Sequence, residues 1–333
     1  MRRISFLTAV VVLSACSGGG GSAEWRLVFT DLDRVVLSAS GPSTDDLWIA
    51  GGRLGNGVGA LAMHYDGVSW RELDTGTAET FWWVWADGSG SAFFVGEGGA
   101  FVHWHGTTAT RIDSGVTSVL FGVWGTSPSD VWAVGGDPFA VDEQDIILHW
   151  DGSSITRVTL AAPAGAALFK VSGTSSSDVW TVGQHGVIVH YDGSAWSPVP
   201  SGTMASLFTV YAVAPNDARA VGGPPRQLLH WDGASWNAED PFGYGSQLNG
   251  VSANSHGDVL VVGVGGTKWL REGGTWTDDS DFEPFDDFHG AWLDESGDGL
   301  AVGGNFLAPA SPGSLRVGSV GARGRAALAS HRE

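Results

Sequence analysis

Five of the ten histidines stand in one recurring slot. His64, His103, His149, His190 and His230 each sit near the end of a short apolar run such as Ile146-Ile147-Leu148-His149-Trp150. Imidazole is a metal ligand and a general base, so a recurring histidine invites both readings. Leu270 fills the same slot in a sixth copy, and six aspartates (Asp46, Asp130, Asp178, Asp217, Asp258 and Asp298) also recur once per copy. Residues that repeat once per structural unit are kept apart by the units that carry them. They cannot pool into one site, so the histidines are expected to hydrogen-bond within their own unit and the aspartates to build turns.

Residues that break the repetition carry more functional weight. Asp294-Glu295-Ser296-Gly297-Asp298-Gly299 sets the oxygens of Asp294, Ser296 and Asp298 around a glycine turn, which would suit Ca2+. No bidentate Glu follows at the twelfth position, and a plain polar turn is the competing reading. Two acidic insertions, residues 137–145 and residues 278–287 with six carboxylates, are candidates for calcium or for a basic partner surface, against the plainer reading of solvated loops. Trp82, Trp83, Lys170, Asn249 and His289 are the non-repeating members of strands that begin at the same face. Aromatic and polar groups converging there suit a carbohydrate or peptide ligand, with extra packing the alternative for Trp82-Trp83. No Gly-x-Ser-x-Gly elbow, His-Glu-x-x-His helix or phosphate loop occurs. No cofactor is implied beyond the possible calcium turn, and an enzymatic role is the less favoured reading.

The elements that must position these residues are strands. Gly is 51 of 333 residues, about twice ordinary usage, alongside 17 Trp, which reads as short strands and tight turns. A strand ending in Val-Gly or a close variant recurs seven times, closing at Gly51, Gly96, Gly135, Gly183, Gly222, Gly263 and Gly303. The intervals run from 39 to 48 residues with a mean of 42, the length of four strands. Asp-Gly turns such as Tyr191-Asp192-Gly193-Ser194-Ala195-Trp196 mark hairpins between third and fourth strands. The expectation is an all-β, seven-bladed β-propeller of four-stranded blades over residues 24–320. Trp25-Arg26-Leu27 matches Trp70-Arg71-Glu72, so an N-terminal strand is expected to complete a last blade that lacks its own fourth strand. Residues 321–333 form an Arg-rich tail.

The stretch from Val179 to Val199 resembles a kelch unit, and Glu272-Gly273-Gly274-Thr275-Trp276 is similar to the Asp-box of BNR repeats. Tectonin-type lectin propellers share the same Gly-Trp strands. The resemblance implies architecture only, because such propellers serve as enzymes, lectins and scaffolds alike. The Arg-Ile-Pro signature of sialidases is absent, so their chemistry is not implied.

At the N-terminus, Arg2 and Arg3 precede a short apolar run over residues 6–13, too short to span a bilayer. Leu13-Ser14-Ala15-Cys16 then resembles a bacterial lipobox. It implies a leader over residues 1–15, a lipid on Cys16, a Gly-rich tether over residues 16–23, and a lipid-anchored place in the cell envelope at the outer membrane. Cys16 is the single cysteine, so no intrachain disulfide forms. A net charge of −19 opposes binding to nucleic acid and to anionic lipid, leaving the lipid as the membrane contact. The leading expectation is a non-enzymatic binding or scaffold module that presents one loop-rich face to a protein or glycan. The alternative is a glycan hydrolase or lyase using loop carboxylates.

Overall fold

The structure, a computed structural model, describes residues 25–53, 59–140, 144–161, 164–280, 287–304 and 313–319. Strand β1 (Arg26–Leu32) stands apart from the strands that follow it in sequence. Blade 1 is β2 (Val36–Ser43), β3 (Asp46–Gly51), β4 (Ala62–Tyr65) and β5 (Trp70–Glu72). Blade 2 is β6 (Phe81–Ala86), β7 (Ser91–Gly96), β8 (Phe101–His105) and β9 (Thr108–Arg111). Blade 3 is β10 (Leu120–Ser127), β11 (Asp130–Gly135), β12 (Ile146–Trp150) and β13 (Ile155–Val158). Blade 4 is β14 (Leu168–Ser175), β15 (Asp178–Gly183), β16 (Ile188–Tyr191) and β17 (Trp196–Pro198). Blade 5 is β18 (Leu207–Ala214), β19 (Asp217–Gly222), β20 (Gln227–Trp231) and β21 (Trp236–Ala238). Blade 6 is β22 (Leu248–Ala253), β23 (Val259–Gly263), β24 (Lys268–Glu272) and β25 (Thr275–Asp278). Three strands remain: β26 (Phe288–Leu293), β27 (Asp298–Gly304) and β28 (Gly313–Ser319).

The expectation of a seven-bladed β-propeller needs a correction. Six blades, not seven, are runs of four consecutive strands; the other four-stranded sheet is a composite in the order β1-β28-β27-β26. Its fourth strand comes from the opposite end of the chain, with Arg26 opposite Val317 and Leu27 opposite Arg316 in antiparallel register. The physical reason is the edge: β28 would otherwise expose unpaired backbone groups. The first strand of each sheet packs against that of the next, and β26 packs against β2, so the sheets close into a ring.

Second strands lie between neighbouring sheets and are buried on both faces. They therefore read as continuous apolar runs such as Ala92-Phe93-Phe94-Val95. The tryptophans fill the gaps between blades: Trp132 meets Trp196 edge-to-face at 5.3 Å, and Trp180 meets Trp236 at 5.5 Å. Such pairs add about 0.5–1.5 kcal/mol beyond the area they bury. Serines join adjacent first strands, with Ser38 Oγ accepting from the N–H of Val84 at 2.9 Å and Ser172 Oγ from that of Ala212 at 3.1 Å.

One backbone contact recurs around the whole ring. The carbonyl just before each first strand accepts the N–H of the residue just after the closing glycine of the second. The pairs are Val35–Gly52, Thr80–Glu97, Val119–Gly136, Ala167–Gln184, Ser206–Gly223, Gln247–Val264 and Asp287–Gly304, all at 2.9–3.1 Å. A Cβ on the closing glycine would stand 1.9–2.3 Å from that same oxygen, which is why glycine recurs there. These bonds also place the starts of the first strands and the loops between second and third strands on one face, here called the entrance face.

Two outcomes test this framework. Gly135→Ala drives a methyl carbon into the Val119 carbonyl and is expected to cost at least about 2 kcal/mol, read as a lower urea midpoint. Deleting residues 26–32 bares β28 as an edge and should abolish cooperative thermal unfolding; a cooperative, monomeric truncation on size-exclusion chromatography would show that β1 is dispensable.

Candidate ligand site at the channel mouth

In every sheet, the composite one included, the pairing of first and second strands skips one residue near the start of the first strand. The skipped residues are Leu37, Trp82, Phe121, Phe169, Phe208, Asn249 and His289. A β-bulge re-aims its extra residue, and here each sheet turns one bulged side chain towards the inner side of the ring. The side chains meet across blades: Trp82 packs on Phe121 at 5.3 Å, Phe121 on Phe169 at 5.3 Å, and Phe169 on Phe208 at 5.7 Å. His289 joins the other flank of Trp82 at 5.8 Å. The result is an aromatic collar, half-buried at Trp82, Phe121, Phe169 and Phe208, completed by Leu37 and Asn249.

The five residues singled out in the sequence all lie here. Lys170 and Trp83 follow directly after the bulged positions of blades 4 and 2, and the Lys170 amine sits 2.9 Å from the centroid of the Trp83 ring. Its one hydrogen bond among the described residues goes to the Phe121 carbonyl at 3.4 Å. Gly122 of blade 3 lies between them, where a Cβ would come within 2.9 Å of Lys170 Cα; the missing side chain leaves the lysine stem its path. Asn249 faces the wall, donating to the Phe288 carbonyl at 2.8 Å and accepting from Gln247 at 2.8 Å. His289 Nδ1 donates to the Leu37 carbonyl at 2.8 Å. Burial, and then the neighbouring Lys170, push the His289 imidazole down to about 4, while burial alone holds the Lys170 amine well below the ordinary lysine range.

Phe121, Phe169, Phe208 and Leu37 were not singled out in the sequence, although they occupy the same slot as Trp82, Asn249 and His289. The available signal was positional: each is the residue after the leading apolar residue of a first strand. An aromatic there reads as core unless the bulge is anticipated.

The repeated polar residues are engaged within their blades. His64, His149, His190 and His230 bond Asp46, Asp130, Asp178 and Asp217 at 2.6–3.0 Å, and His103 bonds Ser91 at 2.8 Å. The first three stack on Trp48, Trp132 and Trp180 at 3.9–4.1 Å. In the turn considered for calcium, Asp294 Oδ1 accepts from the N–H groups of Ser296 and Asp298 and from Ser296 Oγ, at 2.7–2.9 Å. Among the described residues no three His, Cys, Asp or Glu side chains gather as a metal cage. Carboxylates of the acidic insertions are engaged by backbone: Asp137 accepts from the Phe139 N–H of its own loop, Asp145 from those of Gly165 and Ala166 in the connector to blade 4, and Asp287 from that of Gly265 in the loop between β23 and β24. Residues 141–143, 281–286 and 1–24, with Cys16, lie outside the described residues.

No family model and no curated protein matches the sequence. Solved structures do. YCF48 bound to a D1 peptide is similar at a TM-score of 0.66 and 14% identity, over 89% of this chain and 97% of that one. YCF48 from Cyanidioschyzon merolae follows at 0.64 and 14%, over 88% and 98%. A catalytically inactive virginiamycin B lyase from Staphylococcus aureus with quinupristin reaches 0.73 at 9% identity, over 89% and 99%. The chain is a β-propeller. At these identities the likeness covers the propeller's fold alone, and no functional residue passes from one chain to the other.

The buried amine gives a stability prediction. Unfolded, Lys170 and His289 titrate near about 10.4 and 6.5. Folded, both resist the proton, so the unfolded state binds more protons and stability falls as pH drops, for His289 between about 6.5 and about 4. Lys170→Met keeps the stem and removes the amine. It should raise the melting temperature at pH 7 by roughly 2–4 °C and flatten the rise of stability with pH above neutrality. A lower melting temperature would mean that the amine is a net structural tie.

Proposed function

We propose that the chain is a binding module whose entrance face receives a segment of a partner protein. One observation carries the reading. Of the four large apolar side chains that stand exposed among the described residues, three lie on the entrance face: Phe139 at 97%, Met204 at 79% and Tyr244 at 60%. They sit on the loop between β11 and β12 and on the connectors between blades 4 and 5 and blades 5 and 6. Large apolar groups gathered on one face favour a protein contact.

Local backbone adds support. His185 holds a left-handed φ of +57 where blades 2 and 6 use Gly98 and Gly265, and it lines a cleft of about 680 Å³ together with Trp196 and Met204. A non-glycine residue in that region costs of order 1 kcal/mol or more, a strain found most often at functional positions. Gln184 ties this sector together by donating to the Pro138 carbonyl at 3.0 Å, beside Phe139. That the YCF48 neighbour was solved bound to a D1 peptide supports the reading. The same proposal places the propeller on a lipid at Cys16, on the strength of the lipobox resemblance, at the outer membrane of a bacterial envelope.

A photo-crosslinking residue placed at Phe139, Met204 or Val68 in the full chain tests the face. Phe139 and Met204 should give the same discrete adducts in cells of the source organism, and Val68, in the opposite-face turn between β4 and β5, should give none. Equal adducts from Val68, or unrelated adducts from Phe139 and Met204, would defeat the reading.

A further inference from the structure

The chain has only two lysines, Lys170 and Lys268, and both are buried, at 4% and 0% exposure. Its surface cations are arginines, so Lys170 is not an ordinary solubilising residue. The two arginines buried among the described residues show how this protein treats an enclosed cation. Arg34 bonds Asp33 at 2.8 Å and Glu72 at 2.6 Å; Arg219 bonds Asp217 at 2.8 Å and Glu239 at 3.1 Å. Lys170 has no carboxylate partner among the described residues, in a chain with 36 acidic groups. A buried cation without an anion is costly, and the usual outcome is a neutral amine awaiting a partner.

Trp82, which packs on the same Phe121 whose carbonyl Lys170 bonds, supplies a second donor. The Trp82 indole N–H is buried and meets no acceptor among the described residues. Around these donors lie the ring faces of Trp83 and Phe121, the Phe121 carbonyl and the imidazole of His289, with no carboxylate among the described residues. A buried amine without a carboxylate and an unbonded indole N–H, inside an aromatic collar, are the complement of an anion with an apolar body.

We propose that Lys170 and Trp82 form an acid-receiving site in the channel, taking the carboxylate of a ligand whose aromatic or apolar body rests on Phe121, Phe169 and Phe208. This rests on the entrance face being the binding face. On entry of the carboxylate the amine takes one proton from solvent, and the ammonium so formed makes a charge-assisted bond that the neutral amine cannot. Binding therefore weakens as pH rises, since fewer protons are available to complete the pair. The carboxylate could come from a chain terminus or from a free small acid; the chemistry is shared.

Two lysines make the test direct. In the full chain labelled with 13C at lysine Cε, each lysine gives one resonance. Titration with 3-phenylpropionate should move the Lys170 resonance to its protonated position and leave that of Lys268 in place. 3-Phenylpropionamide should bind at least about tenfold more weakly, the loss expected for one charge-assisted bond. Lys170→Met, whose folding is checked by its melting temperature, should bind acid and amide alike. A short peptide ending in Phe, as free acid and as amide, separates the sources: tighter binding of the free-acid peptide than of 3-phenylpropionate assigns the site to a chain terminus, and binding of the small acid alone assigns it to a metabolite. The proposal is overturned if Lys170 keeps its resonance at saturating acid, if acid and amide bind equally to the natural chain, or if Lys170→Met binds the acid undiminished. Met204 crosslinks that persist in that case would leave the docking face standing and remove only the acid site.

Discussion

The carbonyl that precedes each first strand is the contact on which the ring depends. It occupies the place a Cβ would fill on the closing glycine of the second strand, and it accepts the next N–H of that strand. Because this bond fixes where the first strand begins, and the pairing downstream follows the strand pleat, one residue is left over in between. That residue is the bulge, and the bulge is what brings Trp82, Phe121, Phe169, Phe208 and His289 together around the axis. Glycine repeat and collar are therefore two views of one geometry. The first is visible because sterics forbid any other residue; the second is variable because a bulged side chain escapes the pairing constraint.

This explains which parts of the molecule could be read from the sequence. Gly51 through Gly303 recur because a backbone atom excludes every side chain, so strand order, blade length and the closing role of Trp25-Arg26-Leu27 were legible. The engagement of His64, His149, His190 and His230 within their blades was legible for the same reason, since a local Asp partner repeats with the blade. Phe121, Phe169 and Phe208 were not, because an aromatic in an apolar run satisfies a core reading equally well. Lys170 was noticed as an oddity, but its enclosure over Trp83 depends on Gly122 one blade away, a long-range relation that no local pattern encodes. Phe139, Met204 and His185 sit in loops, where there is no periodicity to violate.

The polar residues divide in a way that follows from this. The recurring histidines and aspartates are engaged by partners in the same blade, and they strengthen the fold without offering anything to a ligand. Lys170, which occurs once, is buried without the carboxylate that each of Arg34 and Arg219 has. A propeller tolerates such expense because each sheet interface is stabilised separately by its own cluster of apolar residues. The cost at the axis is local, and it is set against burial distributed around the whole ring.

The composite sheet adds a directional consequence. Strand β1 is the fourth strand of its sheet and runs towards the entrance face, where Leu32 leads into β2. The chain therefore enters the propeller from the opposite face, at Trp25. An N-terminal strand that closes the ring removes the edge of β28 and sets residue 25 on the face opposite the collar.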